Sequence, residues 1–72
     1  MKALEICERF SSDIFYNKDT SNIVVRLEKQ DVEELCEELR LINYLPKNRV
    51  RESKEYFIIN FEKIFPFELT SR

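Results

Sequence analysis

The first apolar pattern in the chain repeats with a helical period. From Lys2 to about Tyr16, apolar residues fall on one side of a helix and charged residues on the other. The apolar set is Ala3, Ile6, Cys7, Phe10 and Ile14. A strand would place Glu8 among apolar side chains, so a helix leaves fewer residues misplaced. We therefore expect a helix that frays near residues 11–12. A strand over residues 3–10 is the alternative interpretation.

A polar stretch over residues 17–22 precedes the first clear strand pattern. Asn, Asp, Ser and Thr side chains bond to their own backbone and so favour a loop here. In the following run, Ile23, Val25 and Leu27 alternate with Val24, Arg26 and Glu28. This alternation in a β-branched run predicts a strand with one buried face.

The strongest helical pattern begins at Asp31. Asp31 and Glu34 have the spacing of a capping box, although the strict form begins with Ser or Thr. The apolar stripe that follows comprises Val32, Leu35, Cys36, Leu39 and Ile42. This spacing predicts an amphipathic helix, and Pro46 indicates that it ends near Leu45.

Two further strands are predicted near the C-terminal end. Residues 49–51 and 56–61 flank a short polar connection over residues 52–55, which favours a hairpin. Phe57, Ile59 and Phe61 share one face of the second strand, and its other face is also largely apolar. We therefore expect this strand at the centre of the sheet or at an interface.

These elements predict one α+β domain over residues 1–72. The expected order is helix, strand, helix, strand, strand, with a small antiparallel sheet covered on one face by two helices. We expect Leu35, Leu39 and Phe57 in its core.

Composition excludes several chemistries. The 72 residues contain no histidine and no glycine, and acidic residues exceed basic ones by two. Without histidine there is no Ser-His-Asp or Cys-His nucleophile system, and without glycine there is no P-loop. We expect no enzyme activity, no metal site and no cofactor. The apolar runs are too short to span a membrane, so we expect a cytoplasmic protein with reduced cysteines.

Four glutamates of the second helix form an acidic strip and are our first candidate partner-binding residues. They are Glu33, Glu34, Glu37 and Glu38. Such a strip suits a basic partner surface, and a solvated helix face is the simpler interpretation.

A basic stretch follows the second helix. Lys47, Arg49, Arg51 and Lys54 lie within eight residues, with Glu52 as the one acid among them. On a strand, Arg49 and Arg51 point the same way. The layout of a basic hairpin beside a helix resembles the wing of a winged-helix DNA-binding domain, which implies contact with phosphates. A charged edge strand that resists edge-to-edge pairing is the alternative.

The two cysteines lie on the apolar faces of their predicted helices. We interpret Cys7 and Cys36 as small buried apolar residues, and a disulfide between them stays open.

The last segment places large apolar residues around Pro66. Phe65, Phe67 and Leu69 either complete the core or contact a partner, because exposed contiguous apolar surface usually marks a binding site. The sequence thus favours a small protein-interaction module: a regulator, inhibitor or adaptor, with a viral or mobile-element origin fitting its size. We expect a protein partner or a homodimer. The alternative is a nucleic-acid-binding regulator that uses residues 47–54.

Overall fold

The structure is a computed structural model and describes residues 1–64. Helices and strands follow one another in the order α1, β1, β2, α2, β3, β4. Their bounds are α1 Lys2–Glu8, β1 Ile14–Asn17, β2 Asn22–Glu28, α2 Val32–Arg40, β3 Tyr44–Arg51 and β4 Tyr56–Lys63, with a short 3₁₀ turn at Lys29–Asp31. The α+β class is confirmed. The expected element order is wrong, because it lacks β1.

The four strands form one antiparallel sheet in the order β1-β2-β4-β3. Each outer strand is joined to its inner neighbour by a hairpin, and β2 pairs directly with β4. The position predicted for β4 inside the sheet is confirmed. In this strand Ile59 and Phe61 are fully buried, whereas Ile58 and Asn60 on the other face are half-buried.

The first helix is shorter than its apolar period predicts. It ends at Glu8, and Ile14 begins a strand that pairs with Val25 of β2. Ser11 lies at the change of direction, where its Oγ donates to the carbonyl of Arg26 at 2.6 Å and accepts from the Asp13 N–H at 3.0 Å. Ile14 also fits the helical stripe of α1, but its pairing with β2 places it in a strand. The strand alternative for residues 3–10 is wrong, since Lys2–Glu8 is helical.

Both ends of α2 differ from the prediction. Asp31 has a helical backbone and makes no side-chain capping bond, because the chain enters α2 through the 3₁₀ turn. At the other end Asn43 adopts the left-handed conformation with φ of 67° and closes the helix early. Leu45 and Pro46 therefore belong to β3. Pro46 is tolerated there because β3 is an edge strand.

One core lies between the helices and one face of the sheet. Its buried members are Ala3, Ile6, Cys7, Ile23, Val25, Leu27, Val32, Leu35, Leu39, Tyr44, Ile59 and Phe61. The core positions predicted for Leu35 and Leu39 are confirmed, and Phe57 is partly buried against the same cluster. The cover of two helices holds only in part, because α1 packs chiefly against α2. No helix within residues 1–64 is long and apolar enough to cross a membrane.

Candidate interaction surfaces

The acidic strip of α2 is divided by ion pairs. Glu38 pairs with Arg9 beyond the end of α1 and is half-buried. Glu37 pairs with Arg40 one turn along the same helix. The interpretation of all four glutamates as a solvated helix face therefore holds only in part, because Glu38 is half-buried and paired. Glu33 and Glu34 are exposed and make no ion pair within the described part of the chain, so they are the members left available to a partner.

A cavity of about 550 Å³ lies beside the start of α2. It is lined by Glu28, Lys29, Gln30, Val32, Glu33, Arg49, Glu55 and Phe57. Three of these eight residues are acidic and two are basic. The guanidinium of Arg49 lies 5.6 Å from the ring centroid of Phe57 and thus brings one positive charge towards this acidic cavity.

The basic stretch follows the outer edge of the sheet. Lys47, Arg49 and Arg51 belong to β3, and Lys54 lies in the connection to β4. All four are exposed. Lys47 pairs with Glu62 at 3.3 Å. Arg49 lies opposite Ile59 and Arg51 opposite Phe57, so the two arginines share a face as predicted.

The face of the sheet opposite the core carries apolar side chains and no helix of residues 1–64. We call it the open face; it comprises Phe15, Asn22, Val24, Arg26, Asn48, Val50, Tyr56, Ile58 and Asn60. Phe15 is 63% exposed and Val50 57% exposed, at opposite sides of this face. Val24 and Ile58 lie between them on the inner strands and are half-buried. Sequence reasoning found the apolar outer face of β4 but missed the part that Phe15 supplies, because β1 was expected to be helical.

Arg26 organises one end of the open face. Its Nε donates to Glu52 Oε1 at 2.6 Å, and its Nη1 lies 3.8 Å from Asp13 Oδ2. Its guanidinium carbon lies 3.9 Å from the ring centroid of Tyr56. The hydrogen bond to Glu52, supported by the nearby carboxylates, raises the pKa of Arg26 above its ordinary value. Two carboxylates therefore balance the charge of the guanidinium and fix its position over the aromatic ring.

The open face also contains polar groups that lack partners. Asn60 Oδ1, between Val24 and Asn48, is out of contact with solvent, as is Asn22 Oδ1. Neither oxygen accepts a hydrogen bond within residues 1–64. An unsatisfied buried carbonyl costs about 1–3 kcal/mol.

Both cysteines are free thiols. Burial, with a contribution from Glu8, raises the pKa of Cys7 to about 11. Burial also raises the pKa of Cys36, and the nearby Arg49 opposes that shift. Cys7 is fully buried and Cys36 half-buried, as small apolar residues would be. The disulfide that the sequence left open is not formed.

The remaining predicted partner-binding residues, Phe65, Phe67 and Leu69, lie outside the described residues. Within residues 1–64, no cluster of Cys, Asp or Glu is arranged to hold a metal ion.

Comparison with protein-family models, with curated proteins and with solved structures found no significant match.

Proposed function

We propose that this chain is a small protein-interaction module, a regulator, inhibitor or adaptor, that occupies an apolar surface of a larger protein with its open face. The observation that carries the proposal is the exposure of Phe15 and Val50 on a sheet face that no described helix covers. Contiguous exposed apolar surface on a small domain marks an interaction site.

The charge of the open face favours a protein surface over a phosphate polymer. Its arginine, Arg26, is already paired with Glu52 and Asp13 and stacked on Tyr56. A neutralised, pre-ordered guanidinium adds little attraction for phosphates. Together with Tyr56 it offers the residue types that dominate the energetic centres of protein interfaces.

Charge substitutions on the open face test the proposal. We expect Phe15→Asp and Val50→Asp each to weaken partner binding about tenfold or more, because a carboxylate would lose its hydration inside the interface. Leu41→Asp is the matched control. Leu41 is 79% exposed and follows α2, away from the open face. Circular dichroism and melting temperature first establish that all three variants fold.

The readout is quantitative capture from the native host with the immobilised wild-type chain, followed by affinity measurement with the purified partner. Loss of binding in both open-face variants, with Leu41→Asp unchanged, supports the proposal. Equal binding by all three variants would overturn it.

The acidic and C-terminal residues remain predicted contributors to the same function. Glu33 and Glu34 are exposed and unpaired within residues 1–64, and they lie on α2, on the side of the sheet opposite the open face. They would therefore meet a basic surface of the partner apart from the open-face contact. Phe67→Ala tests the C-terminal segment, and we expect binding of the purified partner to weaken by at least about 1 kcal/mol. Unchanged affinity would remove Phe67 from the interface. The proposed setting is the cytoplasm, where free Cys7 and Cys36 stay reduced.

A further inference from the structure

The outer edge of β3 is a second surface. It shares Asn48 and Val50 with the open face, but it offers backbone groups and the two arginines on the other face of the strand. β3 is the last strand of the sheet, and its residues Pro46–Arg51 are all exposed. Within the described part of the chain, no backbone hydrogen bond joins β3 to anything other than β4. Half of its backbone N–H and C=O groups therefore point away from the sheet, which is the arrangement that accepts an added strand.

The geometry of β3 limits where such a strand could pair. Pro46 has no N–H to donate, and the register shifts between Pro46 and Asn48. A bulge of this kind twists the strand and disrupts pairing locally. The regular part of the edge is thus Asn48–Arg51, and within it Arg49 and Arg51 project to one face.

These two arginines have no carboxylate partner in residues 1–64. Arg51 donates from Nε to the carbonyl of Ser53 at 3.2 Å, and Arg49 lies over the ring of Phe57. In contrast, Lys47 on the same strand is paired with Glu62. The edge strand thus presents two guanidinium groups without carboxylate partners, two residues apart on one face. A partner strand that matches them must carry negative charges at the same spacing.

We propose that β3 pairs with an extended acidic segment of a partner protein, which adds a fifth strand to the sheet. Residues directly opposite each other on neighbouring strands share a face, so acidic residues at alternate positions of the segment would meet Arg49 and Arg51. The main-chain hydrogen bonds supply affinity and the two ion pairs fix the register.

A nucleic acid fits this edge less well. Glu33 and Glu55 line the cavity next to Arg49, and Glu52 follows Arg51 directly. A phosphate backbone carries a charge on every nucleotide and would meet these carboxylates. A strand places its acidic side chains only at the positions where the arginines lie. A second copy of β3 fits poorly too, because arginines would then face arginines across the pairing.

A short synthetic peptide in which glutamate alternates with threonine is the probe. Its titration is followed through the backbone amide signals and hydrogen exchange of the full chain. We expect shifts and slowed exchange at alternate amides within Asn48–Arg51. The double variant Arg49→Glu/Arg51→Glu should weaken binding at least about threefold, the effect of losing two exposed ion pairs, and should bind the lysine–threonine counterpart instead.

Matched controls separate this edge from general charge and from the open face. Lys2→Glu/Lys18→Glu makes the same change in net charge at exposed positions away from β3 and should bind the acidic peptide as wild type does. Phe15→Asp on the open face should also leave this binding unchanged, so the edge and the open face fail or hold independently.

Two further probes set the outcomes that overturn the proposal. A peptide N-methylated at alternate residues retains every charge but cannot complete the ladder, and equal binding by it would exclude strand addition. Tighter binding of a single-stranded oligonucleotide, lost in Arg49→Glu/Arg51→Glu and steeply dependent on salt, would assign the edge to nucleic acid. Absence of any amide shift within Asn48–Arg51 at saturating peptide would also overturn it.

Discussion

Replacing Leu39 with alanine tests how α2 is held on the sheet. Leu39 is fully buried, in a cluster that joins α2 to the inner strands. The change removes roughly three methyl or methylene groups at about 0.8 kcal/mol each. A residual cavity raises the total cost to about 2.5–5 kcal/mol. A domain of 72 residues has a free energy of unfolding of about 4–11 kcal/mol, so this one change removes a large share of it.

The assay is urea denaturation followed by circular dichroism. With an m-value of about 1 kcal/mol per molar, we expect the midpoint to fall by about 2 M or more. Leu41→Ala is the matched control: the same chemical change, two residues along, at a side chain that is 79% exposed. We expect it to alter the free energy of unfolding by less than about 0.5 kcal/mol.

Equal shifts in the two variants would refute the packing of α2. If Leu39→Ala does not fold at all, Leu39→Met keeps the test open, because a volume-conserving change costs less than about 1.5 kcal/mol. A Leu39→Met variant that also fails to fold would contradict the structure, because the long flexible methionine side chain fits an apolar core.

Three further predictions concern the thiols, the acidic strip and the β1–β2 turn. Cys36 should react with a thiol reagent before Cys7, and equal reaction rates would contradict this order. Because burial raises the pKa of the Cys7 thiol, its contribution to the free energy of unfolding should be fully present below pH 9.0 and lost as the pH rises towards about 11. Urea midpoints at each pH measure this loss. Glu33→Lys/Glu34→Lys should leave the free energy of unfolding unchanged or slightly raised, because it relieves like-charge pairs along α2. The same variant should slow partner association at low salt. An unchanged association rate would show that these two residues are only a solvated helix face. Ser21→Gly should raise the melting temperature, with a gain of up to about 1 kcal/mol, because Ser21 has a φ of 64°; a lower melting temperature would contradict this reasoning.

The elements that the sequence predicts well are those whose periodicity has one interpretation. Ile23, Val25 and Leu27 are all fully buried on the predicted face of β2. Leu35 and Leu39 likewise lie on the predicted face of α2. A side-chain period of two or of 3.6 residues is a local property of the chain, so the buried face can be read without knowing what covers it.

Residues 14–17 show where that reasoning fails. Ile14 continues the apolar stripe of α1, yet it pairs with Val25, and Phe15 pairs with Val24. A short segment whose pattern fits both a helix and a strand adopts the structure in which it gains tertiary contacts. Here that structure is the strand, because β2 lies beyond the polar turn and pairs with it. This addition of β1 creates the side of the open face that holds Phe15.

Helix ends depended on similar choices. Asp31 has a suitable residue type for a cap, but the 3₁₀ turn before α2 leaves it with helical backbone angles. Asn43 takes a left-handed conformation and sends residues 44–46 into β3. Single residues decide these boundaries, and the competing backbone states differ by only about 1–2 kcal/mol.

The sequence by itself determined that the chain builds an α+β domain, which faces of β2, α2 and β4 are buried, and that Arg49 and Arg51 share a side. Only the tertiary structure decided which charges remain unpaired. Arg26 meets Glu52 across 26 positions and Arg9 meets Glu38 across 29, whereas Arg49 and Arg51 meet no carboxylate in residues 1–64. Periodicity is set by each residue's immediate neighbours, but an ion pair depends on which distant segments the sheet brings together.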